Sequence, residues 1–300
     1  MHYQQQRSPP TRGIIIVDTS ALLRMVVPLA KEFKAGVGDA KRETNLCGIL
    51  LFLARNGYEI VIPEMVALES QIARNGTSPN DFFTDSTDRV SSFVRVRAFL
   101  KNVPRLSGSI YIAPPFEQDN SASAQYAREM WSVLKNGGSN TQKRKTIIRI
   151  NQSHPAPIKK NYGDEAACQF VRFMEKPDVP VYYLSEDFYA LQRIARVRPD
   201  VPVNELTVFG LYHAMQMSGA LGVVGIADIP FTDVSKFLMS TLAVEGLSWS
   251  PLLHEESGTL REGIMAIMKE KSSPSDVFSP LEPTAQHRAS VGHVDTHRFG

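Results

Sequence analysis

Along the chain, short unbroken apolar runs alternate with longer stretches of helical spacing. Gly13 opens the run Ile14-Ile15-Ile16-Val17, whose continuous β-branched character predicts a strand buried on both faces, as in a parallel sheet. Asp18-Thr19-Ser20 ends it, and a helix-forming stretch begins at Ala21-Leu22-Leu23. Residues 44–55 read as a helix, Asn56-Gly57 as a turn, and Glu59 to Ile62 as a second buried strand. Pro63 then opens a helix from Glu64 to Arg74, since proline suits a first helical turn. Helices are expected over 86–101 and 124–135, with Ser/Gly/Asn-rich linkers such as Asn136 to Asn140 around them. A helix starting at Gly163-Asp164-Glu165 and ending near Met174 leads into a third strand, Val179 to Leu184. Phe188 to Arg196 reads as a helix and Val203 to Thr207 as a fourth strand. Strands alternating with helices predict an α/β fold with a mostly parallel sheet.

Beyond about residue 218 the pattern changes. Residues 218–225 are small and apolar, fitting a short hairpin or loop, and 232–245 and 258–271 have helical periodicity. From Ser272 the chain is Ser/Pro/His-rich without a period, the composition of a disordered tail. The expected division is a disordered lead (1–12), a main domain (13–217) with an insertion at 77–160, a helical extension (218–271) and a tail (272–300).

Composition narrows the class. With 43% hydrophobic and 21% charged residues the chain can bury a core, and a net charge of +2 is too small to draw in a polyanion by bulk charge. Cys47 and Cys168 match neither a zinc spacing nor a disulfide framework and read as buried thiols in a reducing compartment. No apolar run approaches the roughly 20 residues of a membrane span, and the first residues lack a signal-peptide core. A cytoplasmic protein with no membrane partner is expected.

The chemistry lies in where the acids fall. Asp18 and Asp187 each follow a buried strand, Glu69 lies two turns into the helix after the second strand, and Asp164 begins a helix. Ligands of open parallel sheets bind beyond the carboxyl ends of the strands. Two of these carboxylates sit at that edge, and helices leaving it can bring the other two alongside. Four crowded carboxylates repel one another unless a divalent cation neutralises them, and all-oxygen donors favour Mg²⁺ or Mn²⁺. Such an ion can activate a water and stabilise a leaving oxygen at phosphorus, which is phosphodiesterase chemistry. Taken singly, Asp18, Asp164 and Asp187 could be helix caps alone; the ordered set favours a joint role.

The segments IIIVDTSALL, IPEMVALES, NYGDEAACQFV and VYYLSEDFYALQR resemble, in that order, the PIN-domain nucleases. The resemblance covers about 13–215. It implies a three-layer α/β/α fold, here enlarged by a helical insertion and followed by a small helical extension. It also implies a metal-dependent endoribonuclease in which Asp18, Glu69, Asp164 and Asp187 are both catalytic and metal-binding. Ser20 and Ser185 would orient the carboxylates or a water. Glu165 and Glu186 adjoin the third and fourth positions and could share or take their roles; Glu64 competes with Glu69 but fits a first helical turn better.

RNA is the expected partner. Lys143, Arg144, Lys145, Arg149, Lys159 and Lys160 precede Asp164 and could hold phosphates without reading bases, although a solvated loop would have the same composition. Arg193, Arg196 and Arg198 form a second basic group, read as helix surface, while Tyr182, Tyr183, Phe188 and Tyr189 are expected in the core. His293 and His297 have a helical metal-pair spacing but fall in the tail. A toxin paired with an antitoxin is one form of the nuclease reading, and the two late helices could serve a homodimer or another protein partner. The alternative is a PIN-like RNA-binding scaffold without catalysis. A HAD-type hydrolase is disfavoured because Asp18-Thr19-Ser20 lacks the second Asp, and neither the acidic pair nor the late lysine of a response-regulator receiver is evident.

Overall fold

The computed structural model describes residues 12–26, 45–66, 95–96, 98–100, 109–113, 122–135, 139–154, 162–226 and 257–271. Five strands form one sheet: β1 (Gly13–Val17), β2 (Tyr58–Pro63), β3 (Ile110–Ala113), β4 (Val181–Leu184) and β5 (Val203–Leu206). Every neighbouring pair is parallel, in the order β3-β2-β1-β4-β5. The chain therefore builds outward from β1 in one direction, then jumps back across it to β4 and builds in the other.

The helices are α1 (Thr19–Met25), α2 (Cys47–Arg55), α3 (Ala122–Lys135), α4 (Asn140–Ser153), α5 (Tyr162–Phe173), α6 (Phe188–Ile194), α7 (Val208–Met217) and α8 (Ser257–Lys271), with a 3-10 turn over Ala220–Val224. Strand side chains alternate between two cores, as the period of two requires. Ile15, Val17, Ile60, Ile62, Tyr182 and Leu184 face one core, filled by α1, α2, α7 and α8. Ile14, Ile16, Val61, Val181 and Tyr183 face the other, filled by Ala167, Cys168 and Val171 of α5 and Ala190, Leu191 and Ile194 of α6. Burial on both faces explains why β1 and β4 carry no charged residue. Helices on both sides of a parallel sheet make this an α/β fold.

Four differences from the sequence expectations have identifiable causes. β3 lies inside the segment expected to be a helical insertion. Its Ile-Tyr-Ile-Ala run is only four residues long, too short for periodicity to declare itself, and pairing with β2 creates it. α4 occupies what read as a linker and basic loop; Ser139 and Gln142 form a reciprocal capping box that starts it, the Ser-x-x-Gln signature of a helix N-terminus. Where the sequence suggests a short hairpin or loop at 218–225, Ala220–Val224 form a 3-10 turn closed at Gly225 with φ of 73°. β2 includes Pro63 rather than ending at Ile62, while the helical turn begins at 64 as expected and is described through 66. The helix expected at 232–245 lies outside the described residues.

α3 and α4 pack together through Tyr126, Met130, Ile147 and Ile150, and this cluster sits against Met65 after β2 and Ala166 of α5. The expected late helix is present as α8, and its Leu260, Ile264 and Ile267 belong to the same core as α7. Arg12, placed in the lead by sequence, donates its N–H to the Gly57 carbonyl and pairs with Glu270 of α8 at 2.6 Å. Ile264→Ala should therefore cost about 2–5 kcal/mol, and urea unfolding followed by far-UV circular dichroism and by tyrosine fluorescence should stay a single coincident transition. A separate early transition would show that α8 is not part of this core.

Candidate acidic site at the carboxyl edge of the sheet

The reversal of strand order falls between β1 and β4, and ligands of open α/β sheets bind in the crevice outside such a switch point. Asp18, Ser185 and Thr207 are the first residues past β1, β4 and β5. The ladder runs one step beyond the strands: the Asp18 N–H donates to Leu184 O at 3.0 Å and the Ser185 N–H to Leu206 O at 3.0 Å. That register places Asp18 and Ser185 side by side.

One oxygen of Asp18 is fully committed to the scaffold. Its Oδ2 accepts from the Ser20 N–H at 3.2 Å, the Ser20 hydroxyl at 2.6 Å and the Ser185 hydroxyl at 3.1 Å. The two hydroxyls are 3.2 Å apart, and they also accept from the backbone: Glu186 N–H on Ser20 Oγ and Asp187 N–H on Ser185 Oγ, both at 3.0 Å. Ser20 and Ser185 thus lock the loop after β4 onto Asp18. The other oxygen, Oδ1, faces Gly163 at the start of α5, where a Cβ would stand 2.5 Å from it. Only glycine lets α5 approach so closely.

That approach brings in Asp164, which is buried and accepts the Tyr183 hydroxyl on Oδ1 at 3.2 Å. Asp187 caps α6 with Oδ1, accepting from the N–H groups of Tyr189 at 2.8 Å and Ala190 at 3.3 Å. Among the described residues, Oδ2 of Asp164 and Oδ2 of Asp187 accept no hydrogen bond, and no Lys or Arg forms an ion pair with Asp18, Asp164 or Asp187. Capping and site membership are compatible, because a cap engages one carboxylate oxygen and leaves the second.

The electrostatics follow from that crowding. Burial raises the Asp18 carboxyl above its ordinary range, opposed by hydrogen bonds from Ser20, the Thr19 backbone and Ser185. Asp164 is pushed up to about 7, by burial first and then by the charges of Asp18 and Asp187; the Tyr183 hydroxyl and Arg193 act in the opposite sense. Burial and the charges of Asp18 and Asp164 hold Tyr183 well above its ordinary value, so it remains a hydroxyl donor. Burial also raises the thiols, Cys47 to about 12 and Cys168 to about 11, which fits two unreactive core cysteines.

The neighbouring acids are occupied elsewhere. Glu165 accepts from Gln169 Nε2 at 2.9 Å on one oxygen and is ion-paired with Arg193 through the other. Glu186 accepts the Val208 N–H at 2.8 Å at the start of α7 and lies 3.9 Å from Arg24 Nε. Glu69 lies outside the described residues, whereas Glu64, placed behind it by sequence, is 6% exposed at the first position after β2. Among the described residues, no three acidic, His or Cys side chains come close enough to hold a single metal ion. Hard carboxylate oxygens are the donor type that Mg²⁺ and Mn²⁺ prefer, and among the described residues Asp18, Asp164 and Asp187 have no Lys or Arg ion-paired to them.

Of the basic residues expected to meet RNA, Lys143, Arg144, Lys145 and Arg149 lie on α4, with Lys145 and Arg149 exposed; Lys159 and Lys160 fall outside the described residues. Tyr182 and Tyr183 are core residues, but Tyr189 is 78% exposed, contrary to expectation. Its place in the first turn of α6 explains this, since Ala190, Leu191 and Ile194 take the inward face. Sequence reasoning passed over Gly163 and the Tyr183 hydroxyl. A glycine just before an acidic helix start is the one local signal for the first, and the second depends on a contact 19 residues away.

Gly163→Ala should displace α5 or Asp18, destabilising the fold by about 1–3 kcal/mol, read as a lowered urea midpoint; an unchanged midpoint would deny the close approach. Asp164 gives a pH signature. Its folded pKa of about 7 exceeds the unfolded value of about 3.9, so its penalty is absent below pH 4 and grows as pH rises to about 7. In metal-free buffer, Asp164→Asn should exceed wild type in stability at pH 8 by up to about 4 kcal/mol and match it near pH 4. Urea midpoints across that range check this, and an equal difference at both ends would refute it.

No protein-family model, curated protein or solved structure matches the chain. Its function is therefore read from the geometry of this edge.

Proposed function

We propose that the chain is a metal-dependent nuclease, an endoribonuclease that hydrolyses RNA phosphodiester bonds at the carboxyl edge of the sheet. The observation that carries this reading is that the charges of Asp18 and Asp187 both bear on the buried Asp164 beside the switch point, with no cationic side chain ion-paired to any of the three among the described residues. Buried carboxylates such as Asp18 and Asp164 are costly to ionise without a counter-charge, and a divalent cation would relieve that cost. Bound Mg²⁺ or Mn²⁺ would supply positive charge to the phosphate and an activated water.

The chain's own residues do the positioning. Ser20 and Ser185 fix the rotation of the Asp18 carboxylate, and Tyr183 fixes Asp164. The α6 cap holds Asp187 by one oxygen and leaves Oδ2 available as a donor. Glu69 is proposed as the fourth acid, and Glu64 is its competitor. The PIN-like resemblance agrees with this arrangement, and a toxin restrained by an antitoxin is one form it would take. Two buried free thiols suit the cytoplasm, and among the described residues no helix is long and apolar enough to cross a membrane.

A second reading, an RNA-binding scaffold without catalysis, draws on one observation: no three of the described acids close around a single ion position. Cleavage of a mixed RNA pool with Mg²⁺ or Mn²⁺ separates the two. Wild type should cut, and Asp18→Asn and Asp187→Asn should each lower the rate about 100-fold or more, the loss of several kcal/mol of charge stabilisation. Equal cutting by all three would remove the site. Absence of cutting, with metal giving no rise in unfolding temperature, would leave the scaffold.

A further inference from the structure

Tyr189 is the most exposed large apolar side chain among the described residues, at 78%. A single exposed tyrosine needs no special account, but two features distinguish this one. Its N–H donates to Asp187 Oδ1 at 2.8 Å, so the root of the ring is tied to an acid of the proposed site. Arg193 and Arg196 follow at spacings of four and seven, which places all three on one side of α6 and the turn continuing it. Both arginines are exposed. The winding persists past the helix end, with the Ala195 N–H on Leu191 O and the Arg196 N–H on Arg193 O.

The two guanidiniums differ. Arg193 is ion-paired with Glu165, which holds it in place beside α5. Arg196 forms no ion pair among the described residues. Arg198, two residues on, is tied to Asp200 and the Met174 carbonyl, so the stripe ends at Arg196. An aromatic ring leading into two cations suits a ligand that alternates flat apolar faces with negative charges. A single-stranded polynucleotide has that form: bases stack on aromatic side chains while arginines track the phosphates. A duplex hides its base faces and offers only the charges.

We propose that the Tyr189–Arg193–Arg196 face of α6 is the strand-binding track of the acidic site. One unpaired base stacks on Tyr189 beside Asp187, and the adjoining phosphates lie along Arg193 and Arg196. This rests on the nuclease reading for its purpose and makes single-stranded RNA the preferred substrate, but it is tested by binding alone.

The full chain is titrated in EDTA, where a metal-dependent cut cannot occur, against fluorescein-labelled single-stranded RNA of about 12 nucleotides, a span typical of such sites. The matching duplex and polyphosphate serve as comparisons, and fluorescence anisotropy is the readout. Tyr189→Ala should weaken single-strand binding about tenfold, Tyr189→Phe should retain it, and neither should change polyphosphate binding. Arg196→Ala should weaken both ligands and lower the slope of log affinity against log salt by about one, a slope that Tyr189→Ala leaves intact. Because Tyr189 and Arg196 are surface residues, all variants should keep the wild-type unfolding temperature.

The proposal is overturned if Tyr189→Ala binds the single strand as tightly as wild type, if it weakens polyphosphate equally, or if wild type binds no single strand. Failure of the nuclease reading is separate. Tyr189-dependent binding without Mg²⁺-dependent cutting would keep the track and discard the catalysis, whereas cutting that ignores Tyr189 would do the reverse.

Discussion

The in-register pairing of β1 with β4 is the constraint on which the rest of the molecule depends. It joins the first strand of the chain to one about 165 residues later, and it extends through the Asp18 N–H to Leu184 O bond past the end of both strands. If that register slipped by one residue, the side chains of β4 would exchange faces. Tyr183 would then leave Asp164, and Ser185 would leave Asp18. The two apolar cores hold the register because each β1 and β4 residue is buried on its own side. The polar edge inherits its geometry from apolar packing.

At that edge opposing terms are finely balanced. Burial raises Asp18 and Asp164, and the charges of Asp18 and Asp187 raise Asp164 further, while hydroxyl and backbone donors stabilise the ionised forms. Ser20 and Ser185 act twice, donating to Asp18 and accepting from the next loop, so the site and the handover from β4 to α6 share one hydrogen-bond network. Gly163 is the steric counterpart, a position where the absence of a side chain lets the start of α5 pack against Asp18 Oδ1. Such close-set polar groups gain from a rigid surround, and the α3–α4 pair contributes by packing on Met65 and Ala166 at either side of the edge.

Much of this was legible along the chain. The continuous Ile/Val run of β1 and the Val-Tyr-Tyr-Leu run of β4 announced strands buried on both faces, and alternation with helices announced a parallel sheet. The acids after each strand followed from the same reading, because strand ends define the ligand edge. β3 escaped because four residues of Ile-Tyr-Ile-Ala carry no period and become a strand only when β2 offers a partner. α4 escaped because its few apolar residues, Ile147 and Ile150 among them, have meaning only against α3, although its Ser-x-x-Gln cap stood in the sequence.

By itself, then, the sequence determined local matters: which segments are strands or helices, which residues cap them, and which carboxylates lie near strand ends. These follow from period, propensity and short-range hydrogen bonding. Tertiary structure decided the choices among neighbours. Asp164 rather than Glu165 turns to Tyr183 because Arg193 and Gln169 engage Glu165, and Glu186 is drawn to the start of α7 while Asp187 caps α6. Tyr189 points to solvent because α6 buries its opposite face. Each outcome depends on partners far away in sequence, and only the packed sheet brings those partners within reach.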